Sequence, residues 1–167
     1  LGSVTSYFVN GKNELLEANM NVGVMSPVPI IREAIKAVNN DSEIAIFDSP
    51  PGTSCPFIQT VSKSDYVILV TEPTPFGLSD LRQSVETLKE INIPYGVIIN
   101  RAGLGDESVQ NYISKENIPM LLEIPFNKKI AELYSNGKIV SEFMPSLRDD
   151  LFKLLEKLIE EYGNSSN

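Results

Sequence analysis

The sequence predicts an α/β fold, in which a mainly parallel sheet is flanked by helices and preceded by a β-hairpin. Short runs that are apolar at every residue recur along the chain, and such runs indicate strands covered on both faces, as in a parallel sheet. Segments with one apolar helical face lie between these runs, and strands that alternate with helices are typical of α/β domains. The apolar runs are residues 44–47, 66–70, 96–99 and 120–124.

The N-terminal part of the chain predicts the hairpin and the first helix. Asn10 and Gly11 separate two weakly alternating segments, and Asn-Gly in this setting is the strongest short signal for a hairpin. We therefore expect strands over residues 3–9 and 14–20. Ser26 and Pro27 then predict a helix start, with serine as the N-cap and proline at the first helical position.

Helices are also predicted between the later strands and at the end of the chain. Residues 78–91 carry a clear apolar face, and the patterns of residues 106–116 and 127–135 are weaker. Ser146 and Asp149 resemble a capping box at the start of the last helix. We expect one domain over residues 1–163, followed by a flexible tail at residues 164–167.

Composition restricts the classes of function. The chain has 167 residues and a formal net charge of −8, so it can bury a sizeable core and its surface repels phosphate backbones. We therefore expect no nucleic-acid partner. No apolar run approaches the ~20 residues of a membrane span, and no signal-peptide pattern opens the chain.

Histidine is absent and Cys55 is the single cysteine. One cysteine cannot form an internal disulfide or hold an iron–sulfur cluster alone, and no histidine exists to activate it as a nucleophile. Cys55 is expected in the first turn of a helix, where a buried structural thiol is the more common outcome. A reducing, cytoplasmic location fits this cysteine content.

The residues after the first apolar run suit a phosphate and its metal ion. Ligands of parallel sheets bind outside the carboxyl ends of the strands, which directs attention to Asp48, Pro51 and Gly52. A carboxylate can accept hydrogen bonds from the water shell of Mg²⁺, and a glycine lets a backbone N–H approach an anion closely. These are the parts of a γ-phosphate sensor. The alternative is that Asp48 caps a turn and the prolines only end the strand.

The residues after the third and fourth runs suit a nucleobase. Asn100 both donates and accepts hydrogen bonds, as the edge of adenine requires, and the planar guanidinium of Arg101 can stack on a base. Residues 125–127 can line the other side of the base with backbone groups. The alternatives are a solvated loop for Asn100 and Arg101, and a helix N-cap for Asn127.

Several strings together resemble the MinD/ParA-type P-loop ATPases over roughly residues 20–145. The subgroup that this chain resembles most carries a ferredoxin-like insert with two iron–sulfur clusters. The strings are IAIFDSPPGTSCP from residue 44, SDYVILVTEPTPFGLSDL from residue 64, YGVIINRAG from residue 95 and IPMLLEIPFNKKIAELYSNGKIV from residue 118.

The resemblance implies ATP binding with Mg²⁺, slow ATP hydrolysis, a nucleotide-dependent homodimer and an iron–sulfur or redox partner protein. Arginine stands at position 101, where relatives often carry lysine. The resemblance implies that Asp48 is a Walker B acid that holds Mg²⁺ through water, and that Pro51 and Gly52 belong to the switch. It implies that Asn100 and Arg101 contact the base. It implies that Pro125, Phe126 and Asn127 form an adenine loop.

One departure from this family is large, because no G-x-x-x-x-G-K-[ST] phosphate loop is present. Neither Gly11-Lys12 nor Gly137-Lys138 follows an apolar strand in that pattern. The cysteine-rich insert is absent as well. We therefore expect this chain to be the part after the insert, without the first strand of the sheet, holding no 4Fe–4S cluster itself and inactive alone as an ATPase.

Two other classes of function stay open at this point. A phosphoacceptor signalling domain is also α/β, with an acid at one strand end and a threonine at the next, as Asp48 and Thr71 are. Such a domain also needs an acid pair after its first strand, which residues 1–26 lack. A binding or scaffold module would keep the same fold without catalysis.

Overall fold

The computed structural model describes residues 1–9, 13–39, 41–50 and 52–163. Their contacts divide the chain into two compact units, unit 1 at Leu1–Ser64 and unit 2 at Asp65–Asn167. The predicted turn at Asn10 and Gly11, the predicted tail at residues 164–167, and Pro51 lie outside the described residues.

Unit 1 consists of a β-hairpin and two helices. Strands β1 (Gly2–Val9) and β2 (Asn13–Met20) pair antiparallel, each beginning one residue earlier than the sequence predicts. Helix α1 (Val28–Ala37) packs on both strands and on helix α2 (Cys55–Val61). The hairpin is therefore confirmed.

Two details of unit 1 differ from the predictions. Residues 44–47 form no strand, and Ile46 is 82% exposed. A strand is held by ladder hydrogen bonds to a neighbour, and no strand in the described part of the chain pairs with this run. Helix α1 begins one residue later than expected, with Pro27 rather than Ser26 at the N-cap.

Unit 2 contains three strands, β3 (Val67–Thr71), β4 (Tyr95–Ala102) and β5 (Met120–Pro125), and five helices, α3 (Pro75–Ile91), α4 (Ser108–Lys115), α5 (Lys128–Ser135), α6 (Val140–Phe143) and α7 (Pro145–Tyr162). The strands form a parallel sheet in the order β3-β4-β5. Parallel neighbours need crossover connections, and helices α3 and α4 supply them. The α/β fold class is therefore confirmed.

The core of unit 2 lies between the central strand and the crossover helices. Consecutive residues of β4 are buried, as expected for a strand covered on both faces. The crossover helices bury their apolar faces in the same region, and burial of such side chains is the main favourable term in folding. The largest fully buried side chains are Val85, Leu88, Val97, Ile99 and Val109.

Strand β3 is covered on one face only, which corrects the prediction of a strand buried on both. Its residues alternate between buried and exposed, and Val70 is 64% exposed. Among the described residues of unit 2, this strand is hydrogen-bonded to β4 alone. An apolar run does not determine which of its faces will be covered, because the cover comes from other elements.

The start of α7 also differs from the prediction. Its N-cap is Met144, whose side chain makes no capping hydrogen bond, and Pro145 occupies the first turn. Ser146 therefore lies inside the helix, and Asp149 accepts from Arg148 at 3.1 Å instead of completing a capping box. Across the described residues, none of the helices is long and apolar enough to span a lipid bilayer.

Candidate functional site

The segment after the first apolar run lies in unit 1 and has no regular secondary structure. Asp48 is exposed, and Gly52 has a φ of +94°, a conformation that favours glycine. A Cβ added at Gly52 would meet no atom within 4 Å. The segment therefore presents an accessible carboxylate and an accessible stretch of backbone. Pro51, between them in the sequence, is outside the described residues.

Cys55 is exposed and is the first residue of α2. Its predicted place in the first turn of a helix is confirmed, whereas the expectation of a buried thiol is wrong. A cavity of about 420 Å³ beside it is also lined by Arg32 and Gln59. Arg32 Nε donates to Gln59 Oε1 at 2.7 Å, so the guanidinium already has a partner there.

In unit 2, the end of β3 is fastened to the start of α3. The buried Thr71 donates its hydroxyl to the carbonyl of Gly77 at 3.0 Å, and Thr74 accepts from Gly77 N at 3.0 Å as the N-cap of α3. A Cβ at Gly77 would lie 2.2 Å from the carbonyl oxygen of Glu72, so only glycine fits. Because its hydroxyl is buried and already hydrogen-bonded to Gly77, Thr71 is poorly suited to serve a phosphoacceptor site.

Strand β4 ends in a bulge at Arg101. Asn100 pairs with Ile124 and Ala102 pairs with Pro125, so Arg101 stands outside this register. Its φ is +54°, which is uncommon for a residue other than glycine. A bulge re-aims a side chain and is over-represented next to active sites.

The side chain of Arg101 is paired with Glu72, which follows the neighbouring strand β3. Arg101 Nη1 donates to Glu72 Oε2 at 3.3 Å, and Arg101 Nε lies 3.3 Å from Glu72 Oε1. Arg101 therefore lies within β4 rather than in a loop, while its side chain is 57% exposed to solvent. Sequence reasoning missed Glu72, because a separation of 29 residues carries no local signal.

The loop after β4 lies against the segment after β3. Gly103 and Gly105 have φ values of +88° and +143°, and Leu104 N donates to the carbonyl of Arg101 at 3.2 Å. A Cβ at Gly105 would lie 2.0 Å from the carbonyl oxygen of the buried Pro73. Backbone therefore meets backbone at this point, with no room for a side chain.

The residues after β5 lie at the same edge of the sheet. Phe126 N donates to the carbonyl of Ala102 at 3.0 Å, which ties this loop to the end of β4. Asn127 accepts from Lys129 N at 2.9 Å and caps α5, so the N-cap interpretation of Asn127 is confirmed. The side chain of Phe126 is 44% exposed and remains accessible beside Pro125.

Each unit, taken by itself, carries groups of the kinds that bind magnesium nucleotides. Among residues 1–9, 13–39, 41–50 and 52–163, no group of three or more acidic, cysteine or histidine side chains forms a metal cage. Mg²⁺ is commonly held instead by one or two carboxylates, waters and substrate phosphates. The single exposed carboxylate of Asp48 is suited to such an arrangement. At the sheet edge of unit 2, Asn100, Arg101 and Phe126 offer an amide, a guanidinium and an aromatic ring to a base.

Comparison with known proteins gives a family match and several relatives. Residues 3–100 match a family model described as an AAA domain. An uncharacterized protein of Methanocaldococcus jannaschii is 34% identical over 125 residues, which are 74% of this chain and 43% of that protein. No solved structure matches the chain.

The names of two further relatives refer to iron–sulfur clusters. The iron-sulfur cluster carrier protein of Pyrococcus horikoshii is 25% identical over 85% of this chain and 58% of its own length. The cytosolic Fe-S cluster assembly factor Nubp1 homolog of Drosophila melanogaster is 26% identical over 80% of this chain and 51% of its own length. The chain spans about half the length of the curated relatives it matches.

Proposed function

Because this chain belongs to the AAA-domain family, as a P-loop ATPase of the MinD/ParA type, we propose that it supplies the magnesium, switch and adenine parts of an ATP site. The observation that carries this proposal is the sheet edge of unit 2. There the bulged Arg101, the half-buried Asn100 and the loop anchored by Phe126 N lie at adjacent strand ends.

In the proposed site, Asp48 accepts hydrogen bonds from water molecules around Mg²⁺. Bound Mg²⁺ supplies positive charge that stabilises the phosphate oxygens during hydrolysis. The exposed backbone at Gly52 donates an N–H toward the γ-phosphate, and Pro51 belongs to the same switch segment. The open space at Gly52 supports this role, since a Cβ built there would meet no atom within 4 Å.

The adenine of the proposed ATP lies beside the ends of β4 and β5. Asn100 donates to and accepts from the edge of the base, and the guanidinium of Arg101 stacks on it. Pro125 and Phe126 enclose the base from the side of β5. Asn127 contributes indirectly, because its side-chain oxygen already caps α5.

We further propose that the protein acts in iron–sulfur cluster transfer or assembly in the cytoplasm. The names of two relatives support this proposal. The clusters would be held outside this chain, whose only cysteine is Cys55, in a ferredoxin-like insert. A nucleotide-dependent homodimer and an iron–sulfur or redox partner protein complete the proposal.

The triphosphate in this scheme depends on a phosphate loop outside the present sequence. Backbone amides and a lysine of such a loop make most of the contacts to a triphosphate. We therefore expect the chain alone to bind MgATP more weakly than micromolar. Isothermal titration calorimetry of the chain with MgATP measures this affinity, and micromolar binding would contradict the expectation.

The proposal is tested by ATP hydrolysis in the protein encoded by the complete reading frame. Asp48→Asn is expected to lower kcat about 10- to 100-fold, because the magnesium shell loses a charged acceptor. Glu43→Gln is the matched control, since it removes one exposed acid nearby without touching the proposed site. Hydrolysis by Asp48→Asn at the rate of Glu43→Gln would refute the role of Asp48, and a complete protein that binds no ATP would favour a scaffold module.

A further inference from the structure

We infer that Glu72 is a positioning residue for the nucleobase, which it serves by holding the guanidinium of Arg101 at the edge of the sheet. The inference rests on the proposed function, because it deepens the adenine part of that site. Sequence motifs assign no role to Glu72, and the structure places its carboxylate 3.3 Å from two nitrogens of Arg101.

Glu72 is itself held in place by its neighbours in the chain. On its N-terminal side, the buried Thr71 donates to the carbonyl of Gly77. The carbonyl oxygen of Glu72 lies where a Cβ at Gly77 would be only 2.2 Å away, and that of Pro73 lies where a Cβ at Gly105 would be only 2.0 Å away. Close backbone contacts on both sides therefore fix the position from which the carboxylate reaches Arg101.

Arg101 carries two features that set it apart from an ordinary surface arginine. It is the bulged residue of β4, and its φ of +54° is a sparsely populated conformation for a residue with a side chain. Such conformations persist where the surroundings determine them, and they cluster at ligand sites. At this bulge the side chain of Arg101 contacts the carboxylate of Glu72.

The ion pair orients the side chain of Arg101 and adds little to the stability of the fold. The side chains of Arg101 and Glu72 are 57% and 39% exposed, and pairs with such exposure contribute little to the free energy of unfolding. A free arginine side chain loses rotamer freedom when it binds a ligand. An arginine already held by Glu72 has less freedom to lose, and this pre-organisation strengthens binding.

The test is a double-mutant cycle in the protein encoded by the complete reading frame. MgATP affinity is measured by calorimetry for Glu72→Gln, Arg101→Gln and the double variant. We expect Glu72→Gln to raise the Kd about 3- to 10-fold, and to have no further effect once Arg101 is replaced, because Glu72 acts through Arg101. Glu86→Gln, an exposed acid on α3, is the charge-matched control and should leave the Kd unchanged.

Inorganic triphosphate with Mg²⁺ is the second probe, because it lacks a base. Its Kd should be the same for Glu72→Gln and the unsubstituted protein, and the urea midpoints of the two should agree. Equal weakening of ATP and triphosphate, a lowered urea midpoint, or an effect of Glu72→Gln that persists beside Arg101→Gln would each overturn the inference. If the unsubstituted protein binds no MgATP, the proposed function fails and the inference fails with it.

Discussion

Gly105 makes the packing at the sheet edge directly measurable. Its φ is +143°, and a Cβ placed there would lie 2.0 Å from the carbonyl oxygen of Pro73. Gly105→Ala therefore adds a strained backbone and a collision with another backbone. Gly103, two residues earlier in the same loop, has a φ of +88°, and a Cβ there would meet no atom within 4 Å. Gly103→Ala adds backbone strain alone.

The difference between the two variants isolates the collision. Alanine in a conformation that favours glycine costs about 1–3 kcal/mol, and this cost applies to both positions. Overpacking adds about 1–3 kcal/mol more at Gly105, because a carbonyl cannot rotate away as a side chain can. With a urea m-value of about 2 kcal/mol/M, the midpoint of Gly105→Ala should lie about 0.5–1.5 M below that of Gly103→Ala.

Urea unfolding followed by tyrosine fluorescence is the suitable assay. The chain has six tyrosines and no tryptophan, and all the tyrosines except Tyr7 lie in unit 2. The signal therefore reports mainly on the unit that contains the loop. Equal midpoints for Gly103→Ala and Gly105→Ala would refute the argument that the loop after β4 is pinned against the carbonyl of Pro73.

Two further predictions concern a helix cap and a tyrosine. Thr74→Ala should lower the free energy of unfolding by about 1 kcal/mol, because Gly77 N loses its capping acceptor. Ser79→Ala, at an exposed position in the same helix, is the control, and equal urea midpoints for the two variants would contradict the capping role. Burial raises the pKa of Tyr66 to about 12, and the neighbouring Tyr162 and Glu161 add to this effect. The ordinary pKa of 10.0 applies in the unfolded chain, so the protonated hydroxyl stabilises the folded state fully below pH 10. This contribution is lost as the pH rises toward 12. Urea midpoints between pH 9 and 12 should fall less steeply for Tyr66→Phe than for the unsubstituted chain, and identical slopes would exclude Tyr66 as a source of the decline.

The sheet of unit 2 could be predicted from the sequence because its signals are local. Three apolar runs became β3, β4 and β5, and the segments between them became helices close to the predicted bounds. Residues 44–47 have the same pattern but form no strand. Pairing depends on a neighbouring strand, and a run of apolar residues carries no information about whether a neighbour is present.

The candidate site was predictable only where a motif marks a strand end. Asn100, Arg101 and Phe126 were found in this way, and the structure brings all three to one edge of the unit 2 sheet. The role of Glu72 could not be predicted, because its contact with Arg101 depends on a bulge that no local sequence pattern predicts. The capping box at Ser146 was a false signal, since Pro145 shifts the helix start ahead of it.

The half-covered strand β3 has a consequence for how this chain behaves at high concentration. In the part of unit 2 that the structure describes, no strand pairs with the side of β3 away from β4, and the side chains of Ile68 and Val70 are exposed. Edges of this kind template association between molecules. The net charge of −8 opposes such association through repulsion between copies of the chain. Salt weakens that repulsion, since the screening length falls to about 10 Å at 0.1 M, so colloidal stability of this chain should be greatest in dilute buffer.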